Sequence, residues 1–122
     1  MTTEGCLFCS IVEAGAYVNS TKGFVAIKDI NPQAPVHLLV IPERHVDTFR
    51  DVHAFTAKET KRMLDFVAET AEAAGLRDYR VLVNVGASAG QTVYHLHLHI
   101  LGGEGSTEEV PAAVATAEAS TP

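Results

Sequence analysis

The chain has 122 residues, enough for one compact core and too few for two ordinary domains. With 47% hydrophobic and 20% charged residues it is neither disordered nor fibrous in bulk, and a formal net charge of −6 argues against nonspecific nucleic-acid binding, which needs a basic face. No apolar run approaches the ~20 residues of a membrane span, and the first residues lack a basic region followed by an apolar stretch, so the expected compartment is the cytoplasm without membrane contact.

Cys6-Leu7-Phe8-Cys9 forms a C-x-x-C. In a two-cysteine chain without an export signal, such a pair binds metal or packs as two small hydrophobes rather than forming a disulfide. Leu7, Phe8, Ile11 and Val12 recur at i, i+1, i+4 and i+5, which predicts a short helix ending near Gly15. A brief strand near 17–20 and an alternating strand over 24–28 follow, and Asp29-Ile30-Asn31-Pro32 turns the chain with Asp29 suited to cap the turn. The apolar run 36–41 between Pro35 and Pro42 reads as a core strand interrupted by His37, a position where a hydrogen-bonded structural histidine is the ordinary reading.

Thr56-Ala57-Lys58-Glu59 is a capping box, and Met63, Leu64, Val67, Ala71 and Ala74 then follow helical spacing up to a stop at Gly75. A strand over 80–85 leads into the small-residue loop 84–92, N-V-G-A-S-A-G-Q-T, and a strand over 93–101 returns. The strands are joined by connections too short for repeated crossovers except around the long helix, so an α+β fold with a mostly antiparallel sheet is expected. Residues 105–122 are Gly, Ala, Thr, Glu, Ser and Pro with two valines, a composition with little to bury, which predicts a flexible tail after a domain spanning 1–104.

The segment 93–101 reads V-Y-H-L-H-L-H-I-L. A period of two puts His95, His97 and His99 on one face and Leu96, Leu98 and Ile100 on the other. Three imidazoles on one face suit either zinc, which favours nitrogen ligands, or an anion, because a neutral imidazole attacks phosphorus while protonated neighbours hold phosphate oxygens. The loop 84–92 favours phosphate: its glycines let backbone N–H groups approach an anion, and Asn84, Gln91 and Thr92 add donors.

The run 91–103, Q-T-V-Y-H-L-H-L-H-I-L-G-G, resembles the histidine-triad (HIT) signature, His-φ-His-φ-His-φ-φ with φ hydrophobic. The block 29–42, D-I-N-P-Q-A-P-V-H-L-L-V-I-P, resembles the second patterned block of the histidine triad nucleotide-binding (Hint) branch, the nucleoside phosphoramidases. The resemblance extends from about Cys6 to Gly103. It implies a five-stranded, mostly antiparallel sheet with one long and one short helix, joined to a second copy in a two-fold homodimer through the long helix and a neighbouring strand.

The activity the resemblance implies is hydrolysis of a purine nucleoside phosphoramidate through a nucleotidyl group on His97, with release of a nucleoside 5'-monophosphate. Cleavage of dinucleoside polyphosphates, or nucleotide or zinc binding without turnover, are the rival readings. Leu7, Phe8, Ile11, Ile27 and Ile30 would then lie along the base and sugar, Asp29 would accept from the ribose hydroxyls, Asn84, Gly90, Gln91, Thr92 and His99 would hold the phosphate, and Val93 would also touch the substrate. His99 or Thr92 would pass a proton to the leaving amine, and His37 would be a fourth active-site histidine positioning His97. Some bacterial relatives bind structural zinc through residues matching Cys6, Cys9, His45 and His95, so His95 stands as a triad member or a zinc ligand and no catalytic metal is required. The chain departs from the family over 16–23, where the first strand is shortened, and in lacking the tryptophan of the Hint carboxyl-terminal segment.

Overall fold

A computed structural model describes residues 5–103. The expected tail, 105–122, lies outside the described residues. The sheet has five strands: β1 (Asn19–Thr21), β2 (Phe24–Lys28), β3 (Val36–Pro42), β4 (Tyr79–Leu82) and β5 (Leu98–Gly102). Their order is β1-β2-β3-β5-β4 and every neighbouring pair is antiparallel. The α+β expectation and the five-stranded sheet therefore hold.

Alternation along the strands builds two different faces. Phe24, Ala26, Leu38, Val40, Leu98 and Ile100 form one face and pack with Met63, Phe66, Val67 and Ala71 of the long helix α2 (Ala57–Ala73). Val25, Ile27, Leu39 and Ile41 form the other and pack with Phe8 of the short helix α1 (Leu7–Ala14). His37 alternates with Leu39 and Ile41 on this second side, and the β3–β5 register sets Leu39 opposite His99. The sheet thus carries its chemistry on the face that the short helix covers.

Both helices start and stop where their sequences direct. Cys6 caps α1 through its Sγ, which accepts from the Cys9 amide at 3.3 Å, and Gly15 closes the helix in the left-handed region at φ 70°. Thr56 and Glu59 form the reciprocal capping box of α2, with Glu59 N–H on Thr56 Oγ1 at 3.1 Å and Thr56 N–H on Glu59 Oε1 at 2.8 Å. Met63, Phe66, Val67, Thr70 and Ala71 are the buried stripe. Leu64, expected with them, points outward and is 57% exposed, because it lies one residue beyond that stripe on a helix turning 100° per residue.

The strand expected over 93–101 is shorter: pairing begins only at Leu98, and β4 ends at Leu82 rather than Val85. Beyond Leu82 the chain departs into the loop, so residues 93–97 have no sheet partner there. Leu96 N–H instead donates to the Val46 carbonyl at 2.6 Å. Alternation survives without the sheet, since Leu96 joins the α2-side core while His95 and His97 turn toward Phe8.

Truncating the fully buried Met63 to Ala is expected to cost about 3 kcal/mol, by lost transfer energy and a cavity, and Thr56→Ala about 1 kcal/mol by loss of one cap. Urea unfolding measures both, and a Met63→Ala cost no larger than that of Thr56→Ala contradicts this assignment of the core.

Candidate active site

His95, His97, His99 and His37 are all buried, with ring centroids 5.3 Å apart for His97 and His99 and 5.1 Å for His37 and His99. His97 donates its Nδ1 hydrogen to the carbonyl of His95 at 2.7 Å. Burial pushes its pKa down to about 4, against the pull of that hydrogen bond, so the ring is neutral near pH 7. A neutral imidazole with its proton on Nδ1 carries its lone pair on Nε2. Phe8, fully buried, meets the His97 ring edge-on at 5.1 Å and holds its orientation.

His99 is likewise neutral, pushed down to about 3 by burial and by the neighbouring His97 and His37. His37 Nε2 lies 2.9 Å from His99 Nδ1, and His37 Nδ1 accepts the Gln33 amide at 3.0 Å. Burial lowers the pKa of His37, with Asp29 opposing. The fourth histidine is therefore at the triad as expected, but it touches His99 rather than His97. β3 and β5 are adjacent, and the pairing that sets Leu39 opposite His99 leaves His37 one strand position away on the same face.

Asp29 performs the turn function open to it: Oδ1 accepts the Asn31 amide at 2.8 Å, and Oδ2 lies 3.4 Å from His37 Nε2. Its side chain is wholly buried. Leu7, Ile11 and Val93 pack half-buried around Phe8 and Ile27, whereas Ile30 stands away from them at 55% exposure. Phe8 itself, expected along the base, is enclosed behind the imidazoles.

The small-residue loop folds as a one-turn 3-10 helix over Ala87–Ala89 between Gly86 (φ 89°) and Gly90 (φ 99°), both in backbone conformations that disfavour side chains. Gln91, expected as a phosphate donor, spends its side chain inside the protein: Oε1 accepts the Gly86 amide at 2.9 Å, and Nε2 donates to the carbonyls of Asp47 at 2.9 Å and Val93 at 3.2 Å. Thr92 is exposed. Asn84 Nδ2 is a buried donor with no hydrogen-bond acceptor among the described residues, the condition expected of a group that awaits a ligand or water.

Cys6, Cys9, His45 and His95 converge, their four potential ligand atoms lying within 4.8 Å of one another. His95 Nδ1 is 3.3 Å from Cys6 Sγ and 3.5 Å from Cys9 Sγ, and His45 Nδ1 is 3.4 Å from Cys9 Sγ. Each ring turns its other nitrogen to an acceptor, His95 Nε2 to the Pro42 carbonyl at 2.7 Å and His45 Nε2 to Asp47 Oδ1 at 2.6 Å. Burial lowers the pKa of His95; at His45 it also pulls downward, but the hydrogen bonds with Cys9 and Asp47 prevail and raise it. Burial raises that of Cys6. Sequence reasoning did not single out Pro42, Asp47 or Gln33, because a backbone carbonyl, a loop carboxylate and a backbone amide carry no motif. A capping box between Thr48 and Asp51 follows Asp47, and its T-x-x-D pattern is the one local signal this loop carries.

Comparison with known proteins accords with this geometry. The sequence profile of the HIT domain matches residues 13–106. The purine nucleoside phosphoramidase of Escherichia coli (strain K12) is 42% identical over 80 residues, covering 64% of this chain and 67% of that protein. A crystal structure of a HIT family hydrolase from Legionella pneumophila Philadelphia 1 aligns with a TM-score of 0.78 at 39% identity, covering 88% of this chain and 100% of that one. A zinc-bound histidine triad family protein from Mycobacterium smegmatis aligns with a TM-score of 0.71 at 26% identity, covering 93% of this chain and 88% of that one. With its triad gathered on one side of the sheet and the HIT profile matching most of its length, the chain belongs to the HIT domain family.

Proposed function

We propose that the protein is a purine nucleoside phosphoramidase that works through a covalent nucleotidyl-His97. The observation that carries this reading is the Nδ1 bond from His97 to the His95 carbonyl, which leaves the reactive lone pair on Nε2 of a neutral ring. Nε2 attacks the α-phosphorus, the phosphorus–nitrogen bond to the amine breaks, and the amine departs with a proton. Water then attacks the same phosphorus and returns a proton to the group that gave one to the amine, the bond to Nε2 breaks, and the nucleoside 5'-monophosphate leaves with the neutral imidazole restored. A cationic nitrogen is a good leaving group from phosphorus, so the second step is easy.

Asn84 Nδ2, Thr92, the amides around Gly90 and the His99 ring supply hydrogen bonds to the phosphate oxygens as charge develops. Gln91 serves this set by bracing the loop, and His99 or Thr92 accompanies the leaving amine. Leu7, Ile11, Ile27 and Val93 offer the base an apolar wall, with Ile30 closing over it from the exposed turn. Asp29 accepts hydrogen bonds from the ribose hydroxyls through Oδ2, which has no hydrogen bond among the described residues; this requires the 29–33 turn to open.

Cys6, Cys9, His45 and His95 fit a structural zinc. Two thiols and two imidazoles make a closed tetrahedral donor set, and the Pro42 and Asp47 acceptors hold both rings with Nδ1 facing inward. Such an ion braces the amino-terminal helix against the triad and stands outside the reaction. Two copies pair through α2 and the sheet-edge strand β4, where Leu64 is 57% and Val81 47% exposed.

Wild-type protein is expected to release AMP from adenosine 5'-phosphoramidate, and His97→Ala to lose at least about 10³-fold in turnover while still binding AMP. AMP binding by wild type without release, or turnover confined to diadenosine polyphosphates, contradicts the phosphoramidase reading. Native mass spectrometry is expected to find one zinc per chain in a dimer, and a chelator or Cys9→Ser to lower the melting temperature. A metal-free dimer with an unchanged melting temperature contradicts the zinc assignment, and a monomer contradicts the pairing.

Acid sensitivity follows from the depressed histidines. The unfolded chain takes up protons on His97 and His99 near pH 6.5, whereas the folded protein resists until about 4 and about 3. Stability is unaffected by these groups above 6.5 and falls as the pH drops through the window below it, by up to about 1.4 kcal/mol per pH unit for each histidine. Urea unfolding between pH 7 and 5 measures this, and a flat profile contradicts it.

A further inference from the structure

Building on the nucleotidyl-histidine reading, we propose that the Gln33 amide and the His37 ring are positioning groups that hold His99 as a neutral Nε2–H donor, the opposite tautomer from His97. Adjacent rings then present one lone pair and one proton to the same phosphoryl group.

The chain of hydrogen bonds leaves no other assignment. Gln33 N–H donates to His37 Nδ1 at 3.0 Å, so that nitrogen is bare and the proton of the neutral ring sits on Nε2. His37 Nε2 lies 2.9 Å from His99 Nδ1, which must accept, so the proton of His99 sits on its own Nε2. The carboxylate of Asp29, with Oδ2 3.4 Å from His37 Nε2, adds negative charge beside that N–H and favours the same tautomer. On the other ring the polarity is reversed, because a carbonyl, that of His95, takes the Nδ1 proton of His97. Two backbone groups of opposite sense, one amide and one carbonyl, thus impose opposite tautomers on two rings only two residues apart.

The chemical consequence is specific. A bare Nε2 on His99 would turn a lone pair toward phosphate oxygens and repel them, whereas N–H attracts them without any change in net charge. The same amide decides against a metal at this place. Asp29, His37 and His99 bring three potential ligand atoms within 4.8 Å, but a cation needs His37 Nε2 bare, which would turn a protonated Nδ1 against the Gln33 amide hydrogen. The cluster holds a proton where its composition suggests a metal.

The test is long-range 1H–15N correlation on the full chain labelled at histidine, without ligand near pH 7. The expected spectrum has His97 protonated on Nδ1, and His37 and His99 on Nε2. His37→Gln, which keeps an acceptor for the amide and a donor for His99, is expected to retain the His99 tautomer. His37→Leu removes the donor, and is expected to give His99 mixed tautomers and to weaken AMP binding about tenfold. A proton on His99 Nδ1 in wild type, or an unchanged His99 tautomer in folded His37→Leu, overturns the inference; if the leucine variant does not fold, the wild-type and His37→Gln spectra decide. Because the tautomers are read in resting protein, failure to release AMP would sink the phosphoramidase reading alone, and a wrong tautomer with normal turnover would sink only this one.

Discussion

A neutral imidazole carries one donor and one acceptor, and each must be satisfied or put to use when the ring is buried. Four such rings lie side by side here, and the backbone assigns three of them their protons. The Pro42 carbonyl takes the Nε2 proton of His95, the His95 carbonyl takes the Nδ1 proton of His97, and the Gln33 amide fills the Nδ1 lone pair of His37. Each nitrogen left over then has a direction: His95 Nδ1 toward the thiols, His97 Nε2 as the proposed nucleophile, His37 Nε2 toward His99. The fold serves this arrangement by fixing backbone groups, which no side-chain substitution removes.

The two-faced sheet follows from the same requirement. Burying Met63 and Phe66 of α2 on one face contributes about 1.5–3 kcal/mol per side chain, and this core needs nothing from the histidines. It pays for a second face on which desolvated imidazoles are costly. That face is closed by α1, whose Phe8 packs on His95 and His97 and whose N-cap Cys6 and first-turn Cys9 meet His95 and His45. Support of the His97 ring and assembly of the thiol–imidazole cluster are thus one structural event.

Much of this was legible in the sequence because it is local. The capping box at Thr56, the stop at Gly15 and the alternation of His95, His97 and His99 with leucine each depend on residues a few positions apart. The reach of β5 was not, since alternation in 93–97 persists where β4 has already left the sheet and a loop carbonyl at Val46 substitutes. The outward turn of Leu64 was hidden by its apolar character. At the site, the convergence of Cys6, Cys9, His45 and His95 was anticipated by family resemblance, while the partner of His37 depended on strand register. Gln91 looks like a ligand donor in sequence, and only three-dimensional contacts reveal that its Oε1 is engaged by the loop amide of Gly86 and its Nε2 by the distant Asp47 carbonyl. Backbone acceptors such as Pro42 and donors such as Gln33 have no signature at all.

The central claim is a covalent bond between His97 and a nucleotide. Its most direct measurement is intact mass of the protein quenched in alkali within milliseconds of mixing with adenosine 5'-phosphoramidate, followed by peptide mapping. The account predicts a transient gain of one adenylyl group localised to His97 and absent from His97→Ala. Steady AMP release from wild type with no adduct under single-turnover conditions, or an adduct on another residue, would contradict it.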